Sequence, residues 1–310
     1  MPFLLKIHFS LFSTSIRYNT PITRDRGIFI MEYYMTDERI AEYLKALENE
    51  ERAAATVEKY RRALLSFAAF LSGAAVTPEM IRLWKDDLRA SNYAPSTINA
   101  CLAAVNGFFC FCGWTDCRAR FLKIQRRLFR DSKQELTRAE YKRLVAAAEA
   151  AGDHGLALLM ETICSTGIRV SEVQYITVEA AKNGKTEIAL KGKIRTILLP
   201  SKLCRKLLKF AARQKIASGA IFRAKSGKSM SRYQIWSKMK KLCARAGVDA
   251  GKVFPHNLRH LFATAFYRAY KDIVKLADVL GHSSIETTRI YLATSVAEHR
   301  RQLEQLKLVS

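Results

Sequence analysis

The chain has 310 residues, 49% of them hydrophobic, which is enough for about two domains with buried cores and excludes wholesale disorder. Its 52 Lys and Arg against 28 Asp and Glu leave a net charge of +24, pointing to a polyanionic partner, nucleic acid ahead of an anionic membrane surface. No apolar run reaches the roughly 18 residues that a spanning helix needs, and seven cysteines, an odd count in a chain this large, favour free thiols over a disulfide framework.

Residues 1–34 stand apart. No acidic residue precedes Asp25, and Lys6, His8 and Ser10 interrupt the apolar runs. A targeting peptide is one reading; without a small-residue cleavage site, the expectation is a functionless extension, disordered or translated from upstream of a start at Met31 or Met35. From 35 to 117 the pattern is helical. ERIAEYLKALENE and TVEKYRRALLSFAAFL carry apolar residues at three- and four-residue spacing. Thr77-Pro78 opens a third helix and Pro95-Ser96 a fourth, each with Pro at a tolerated first position. Four or five short helices with no strand signal predict a small all-α unit. Cys110, Cys112 and Cys117 crowd its end, where buried thiols beside Phe108, Phe109 and Phe111 fit better than zinc ligands, since no fourth ligand completes a spacing.

Residues 118–134 hold seven basic residues and one acid and read as a basic linker. The second unit, 135–310, opens on a capping box, Thr137 with Glu140. A helix over Leu156–Ser165 ends at Gly167, and another starts near Arg169. Asn183-Gly184 predicts a hairpin between ITVEAA and KTEIAL, with RTILLP as a third strand after the tight Lys191-Gly192-Lys193. Helices resume from Lys202. The fold class expected is therefore mainly α: a helical N-terminal domain, then an α+β domain with a small antiparallel sheet. From Lys182 to Arg245 there are nineteen Lys and Arg against one acid, Glu187, a bias suited to a phosphate backbone.

Three of the six histidines fall within 27 residues, in PHNLRHLFAT (His256, His260) and LGHSSIETTRIYL (His282). His256 and Arg259, three apart on a helix, share a face. Ser283 with Glu286 makes another capping box, opening a helix that carries Tyr291. With Arg169 and a lysine near 191 the set is Arg, Lys, His, Arg, His, Tyr. It lacks the acidic cluster of two-metal phosphoryl transfer and the GxxxxGK[ST] loop of ATP-dependent enzymes, so no cofactor is expected. Two guanidiniums suit a phosphate that gains negative charge, and tyrosine can attack it. Histidine can take the phenolic proton and lysine can protonate the departing alkoxide. The chemistry is metal-free phosphodiester transesterification.

These segments resemble the signature boxes of the tyrosine recombinases, also called phage-type integrases. TGIRVSEV is similar to the family's first arginine box, HNLRHLFAT to its H-x-x-R box and LGHSSIETTRIYL to its His…Tyr box. The intervals, nine from His282 to Tyr291 and 32 from Arg259 to Tyr291, match too. The likeness covers 135–295 and, more loosely, 36–117, which resembles the family's SAM-like core-binding domain. It implies a catalytic set of Arg169, Lys191, His256, Arg259, His282 and Tyr291, with Glu172, His260 and Lys193 in support. It further implies a 3′-phosphotyrosyl intermediate on double-stranded DNA sites, a dimer on each site and a tetramer in synapsis. The family's G-K-G-x-K turn is here Leu190-Lys191-Gly192-Lys193; aligning the Lys-Gly step selects Lys191 over Lys193 as general acid. The stretch before Met35 is too short for the additional arm-site domain of some integrases. Leu292, Val296, His299, Leu303 and Leu306 recur at 4-3-4-3 spacing, the seam of a tail helix that docks on its own domain or, as the resemblance implies, exchanges onto a neighbour.

Two other readings stay open: a DNA-binding regulator without catalysis, and a type IB topoisomerase, which shares the chemistry but exchanges no strands. A cytoplasmic, prokaryotic, DNA-associated protein is expected, acting in mobile-element integration or excision, or in dimer resolution.

Overall fold

The structure, a computed structural model, describes residues 21–24, 28–124, 134–190, 193–224, 226–282, 284–289, 291 and 304–306. The chain divides into two compact units, Met1–Arg126 and Arg127–Ser310.

The first unit begins with a two-stranded antiparallel ladder, β1 (Pro21–Arg24) with β2 (Ile28–Met31), inside the segment expected to be disordered. Ile28–Met31 is a short unbroken apolar run, with no alternation to mark it as a strand in the sequence. Four helices follow: α1 (Asp37–Asn49), α2 (Ala54–Leu71), α3 (Pro78–Ala90) and α4 (Pro95–Phe111). Their starts are written locally. The Thr36 hydroxyl accepts from the Arg39 amide at 3.3 Å and the Thr77 hydroxyl from the Met80 amide at 3.2 Å, with Pro78 and Pro95 in the first turns. The buried faces meet in a core of Leu64, Phe67, Trp84, Leu102, Phe108 and Phe109. Tyr33 stacks on Trp114, 5.0 Å between ring centroids, and bridges to Val76, so the helical unit reaches two residues upstream of the expected boundary. Cys117 is buried but Cys110 is exposed, which corrects the expectation of three buried thiols; position 110 falls on the outer side of the last turn of α4.

Two asparagines seven apart on α4, Asn99 and Asn106, hold the start of the basic linker. Asn106 pairs through both amide atoms with the Ala119 backbone, and Asn99 does the same with Leu122, at 2.8 and 2.9 Å in each pair. Residues 118–124 therefore lie along α4 with Arg118, Arg120 and Lys123 exposed.

The second unit opens with α5 (Arg138–Ala150), whose Thr137–Glu140 capping box is closed in both directions. Next come α6 (His154–Thr166), a 3-10 turn Val170–Tyr175, and α7 (Val178–Asn183). The last corrects the hairpin expected at Asn183-Gly184. Thr177 caps a short helix through the Ala180 amide, and Gly184, at φ 70°, ends it. A left-handed glycine serves a helix end as well as a turn, and the helix-forming Glu-Ala-Ala-Lys run decides which. The sheet of this unit thus has two strands, β3 (Lys185–Leu190) and β4 (Lys193–Leu198), antiparallel in the register Lys185↔Leu198 to Leu190↔Lys193.

Helices α8 (Ser201–Arg213), α9 (Arg232–Ala246), α10 (Pro255–Tyr270), α11 (Ile273–Leu280) and α12 (Ile285–Arg289) complete the described elements. Helix α8 shows the logic of the basic stretch: Leu203, Cys204, Leu207 and Ala211 are buried while Lys202, Arg205, Lys206, Lys209 and Arg213 face solvent. Leu144, Leu159, Met160, Ile163, Met239 and Leu258 lie in the main core. A smaller cluster, Ala263, Leu276, Leu280 and Tyr291, carries the expected nucleophile. No described helix is long and apolar enough to cross a membrane.

Candidate active site

Separated stretches of the second unit converge on a cleft of about 560 Å³ whose walls include Arg169, Arg232, His256, Arg259, His282 and Tyr291. Among the described residues, no carboxylate lines it.

Gly167 permits the convergence. It ends α6 at φ 64°, and a Cβ there would strike Phe262 of α10 and Leu280 of α11. Glycine is required both by the left-handed backbone and by the close approach of two helices. The Gly167 carbonyl accepts from Arg259 Nη1 at 2.5 Å, while Arg259 Nη2 donates to the Leu280 carbonyl at 2.9 Å and to His282 Nε2 at 2.8 Å. One guanidinium, only 1% exposed, thus ties the end of α6, the end of α11 and the His282 ring together. Burial lowers the Arg259 pKa, and hydrogen bonding to Tyr291 works against that fall; a guanidinium keeps its charge in either case.

Arg169 lies two residues beyond Gly167. Its Nη1 meets Glu172 Oε1 at 2.9 Å, and its backbone amide donates to Glu172 Oε2 at 2.8 Å. Glu172 is buried. Burial pushes its carboxyl up, but the hydrogen bond from the Arg169 amide and the charges of Arg195 and Arg169 outweigh this and hold it below the usual carboxylate range. It is therefore an anion that holds the Arg169 side chain. The guanidinium itself is 43% exposed and borders the cleft, available to an incoming anion.

His282 is fixed through both ring nitrogens. Nε2 faces an Arg259 donor, so it is the acceptor, which leaves the proton on Nδ1 to be donated to the buried Thr288 hydroxyl at 2.9 Å. Burial, then the positive charges of Arg259, Arg169 and Arg195, lower its pKa to about 4. An NMR titration of the free protein should therefore find the His282 ring neutral at pH 6, with its midpoint far below 6.5. Because the folded pKa is depressed, the unfolded chain takes up a proton that the folded one refuses as pH falls from 6.5 towards 4, and stability falls across that window. A midpoint near 6.5 would contradict the hydrogen-bond assignment.

Tyr291 is 5% exposed and stacks on His282, with centroids 5.8 Å apart and planes within 10°. His260 lies 5.1 Å from it and His256 6.2 Å. His256 occupies the first turn of α10 behind Pro255 and is exposed; His260, one turn on, is buried with Nδ1 3.3 Å from the Thr264 hydroxyl. Arg169, His256, Arg259, His282 and Tyr291 thus share one cleft. Lys191 lies outside the described residues, and Lys193 opens β4 two positions after it. Ser283 also lies outside them; the Glu286 amide bonds to Ser284 instead, at 3.2 Å. Of the tail pattern, Leu306 alone is described, and it is exposed.

Two features were missed in the sequence. Tyr233 and Trp236, 5.9 Å apart on α9, form an exposed aromatic pair at the cleft, with Lys240 over the Trp236 ring at 5.6 Å. Arg195, on β4, reaches Glu172 from the side opposite Arg169. The signal for Arg195 was its register: it shares a strand face with Ile197 and Leu199.

A sequence profile described as "Phage integrase family" matches residues 134–298, more than half the chain, and one described as "Phage integrase, N-terminal SAM-like domain" matches 40–115. The chain belongs to the phage integrase family. Among the similar members is the tyrosine recombinase XerD of Xanthomonas campestris pv. campestris, 30% identical over 86% of this integrase and 90% of the relative. Tyrosine recombinase XerA of Pyrococcus furiosus is 28% identical over 90% and 97%. In fold this integrase resembles a lambda integrase tetramer bound to a Holliday junction, with a TM-score of 0.69 at 17% identity over 84% of this chain and 77% of that one. The XerH recombinase bound to its difH substrate gives 0.64 at 19% identity over 86% and 84%.

Proposed function

We propose that this integrase is a site-specific DNA recombinase in which Tyr291 attacks the scissile phosphodiester. The observation that carries this reading is the meeting of Arg169, Arg259, His256, His282 and Tyr291, drawn from three separated sequence boxes, in a single cleft that has no carboxylate among the described residues lining it. Such a wall repels a metal cation and attracts a phosphate. The exposed fork of Arg169 and the buried one of Arg259 clamp the two non-bridging oxygens. Tyr291 Oη forms a bond to phosphorus as the bond to the 5′-oxygen breaks. The phenolic proton passes to His256, with His260 beside it, and Lys191 gives a proton to the 5′-alkoxide. One phosphodiester is exchanged for another, so no external energy source enters, and the reverse step rejoins DNA. His282 begins as an acceptor from Arg259. A phosphate anion draws that guanidinium towards itself and raises the proton affinity of the ring, which turns Nε2 into a donor to the phosphate.

The helical unit at 35–117 and the basic linker at 118–134 supply binding to double-stranded sites, with Arg118, Arg120 and Lys123 among the phosphate contacts, and the 135–310 domain carries catalysis. Two protomers occupy each site and four form the synapse, coupled through the tail helix, in a prokaryotic cytoplasm. The lambda integrase tetramer bound to a Holliday junction supports the four-protomer assembly by likeness.

A nicked suicide substrate tests the reading: it should accumulate a covalent protein–DNA complex with a free 5′-hydroxyl, at equal rates with magnesium or EDTA. A requirement for magnesium would count against it. The same substrate separates the two lysines. Losing a general acid costs roughly 10²–10⁴-fold in rate, and a 5′-thio leaving group needs no proton. Lys191→Ala should show that loss and its rescue by the thio substrate; rescue of Lys193→Ala instead would move the assignment two residues along.

A further inference from the structure

We propose that Arg195 is a positioning residue that locks the Arg169–Glu172 turn to the turn that delivers His282, so that phosphate clamp and histidine move as one piece. The inference rests on the recombinase reading of the cleft.

Within the stretch from Lys182 to Arg245, Arg195 departs from the rule that basic residues face water. Its neighbours on β4, Ile194 and Leu198, are exposed at 76% and 68%, whereas the Arg195 side chain is 12% exposed and lies on the face shared by Ile197 and Leu199, opposite Ile188. Its guanidinium divides between two partners. Nη1 pairs with Glu172 Oε2 at 2.5 Å, and Nη2 donates to the Val279 carbonyl at 2.9 Å. Val279 is in the last turn of α11, where carbonyls lack an intrahelical partner. The next turn is fitted to the same side chain: Gly281 has φ 64°, and a Cβ there would strike Arg195 Cδ and Nε. His282 follows immediately.

Glu172 is thereby gripped from two sides, Oε1 by the Arg169 side chain and Oε2 by Arg195 together with the Arg169 amide. Arg195 also holds the Val279 carbonyl before His282, where Arg169 Nη2 makes only a longer contact, 3.5 Å, to the Gly281 carbonyl. Arg195 is not part of the cleft wall, so it acts through these partners and not on the substrate. Stability does not account for it. A buried ion pair is often matched or bettered by well-packed apolar residues, and the buried neighbours of Arg195 on this face, Ile188, Ile197 and Leu199, are apolar. What an apolar residue cannot supply is a fixed angle between two turns from distant parts of the chain. Lysine, with one nitrogen, cannot reproduce a fork that spans two acceptors.

The test measures adduct formation on the suicide substrate at saturating protein, half-site affinity, and thermal unfolding, for Arg195→Met, Arg195→Lys, Glu172→Gln and the Arg195→Met/Glu172→Gln double variant. Misplacing a reacting group by about 1 Å costs on the order of 10²-fold. Arg195→Met should therefore cleave about 10²-fold more slowly while binding within about threefold of wild type. Glu172→Gln should add little to that loss, because both changes break one unit, and Arg195→Lys, which keeps the charge, should fall between. Cleavage by Arg195→Met at the wild-type rate would overturn the inference, as would losses that multiply in the double variant. If Arg195→Met does not fold, the methyl-free comparison is Arg195→Lys alone: a folded variant that cleaves at the wild-type rate also overturns it. Failure of the wild-type chain to form any adduct would instead sink the recombinase reading itself.

Discussion

Tyr291→Phe should bind a half-site as tightly as the wild-type chain and form no covalent complex with a suicide substrate. The phenol ring is what the fold uses. It packs at 5% exposure among Ala263, Leu276 and Leu280 and stacks on His282, and phenylalanine keeps all of that. Only the hydroxyl is lost, and with it a hydrogen bond to Arg259 and the sole atom of the residue able to bond to phosphorus. Affinity should persist because phosphate contacts, not the nucleophile, supply most of DNA binding. The comparison is made by gel resolution of the adduct beside equilibrium binding. A variant that still traps DNA covalently would place the nucleophile elsewhere.

Arg259→Lys should lower the cleavage rate by roughly 10²–10³-fold, the usual scale for losing a donor aimed at developing charge. The charge is conserved, but the fork is not. Arg259 already serves the Gly167 and Leu280 carbonyls and His282 Nε2, and its remaining capacity faces the cleft. A lysine nitrogen cannot meet those partners and a phosphate together. The variant should also be less stable, since each buried carbonyl left without a donor costs on the order of 1–3 kcal/mol. Single-turnover cleavage at saturating protein, set beside chemical denaturation, separates the two effects. Cleavage within threefold of wild type would mean that Arg259 is a structural tie only.

Much of this site was legible before any coordinates. The Arg169, His256/Arg259 and His282/Tyr291 segments carry their chemistry in short, spaced words, and helical periodicity placed His256 and Arg259 on α10. Arg169 instead precedes a 3-10 turn, and Tyr291 lies beyond α12 rather than on the helix expected to carry it. The capping box at Thr137 and the helix-ending Gly167 were readable because they depend on residues three or four apart. Tertiary approach was not. Gly167 reads as a C-cap in sequence, yet it is also the point where Phe262 and Leu280 leave no room for a Cβ. Asn183-Gly184 read as a hairpin because a left-handed glycine has two uses and the choice lay with the six residues before it. Arg195 sat in a run of basic residues read together as suited to a phosphate backbone, and strand register alone singled it out. The hydrogen bonds of His282 depend on Arg259, 23 residues upstream, and make its Nε2 an acceptor in the free protein, which no local spacing reveals.

The central claim, that Tyr291 becomes the phosphotyrosine, is tested most directly by mapping the adduct. The wild-type chain is trapped on a suicide substrate, digested with protease and nuclease, and the peptide bearing the residual nucleotide is sequenced by mass spectrometry. The account predicts one modified peptide, with a 3′-linked nucleotide on Tyr291. A nucleotide on any other residue, or linkage through a 5′-phosphate, would contradict it.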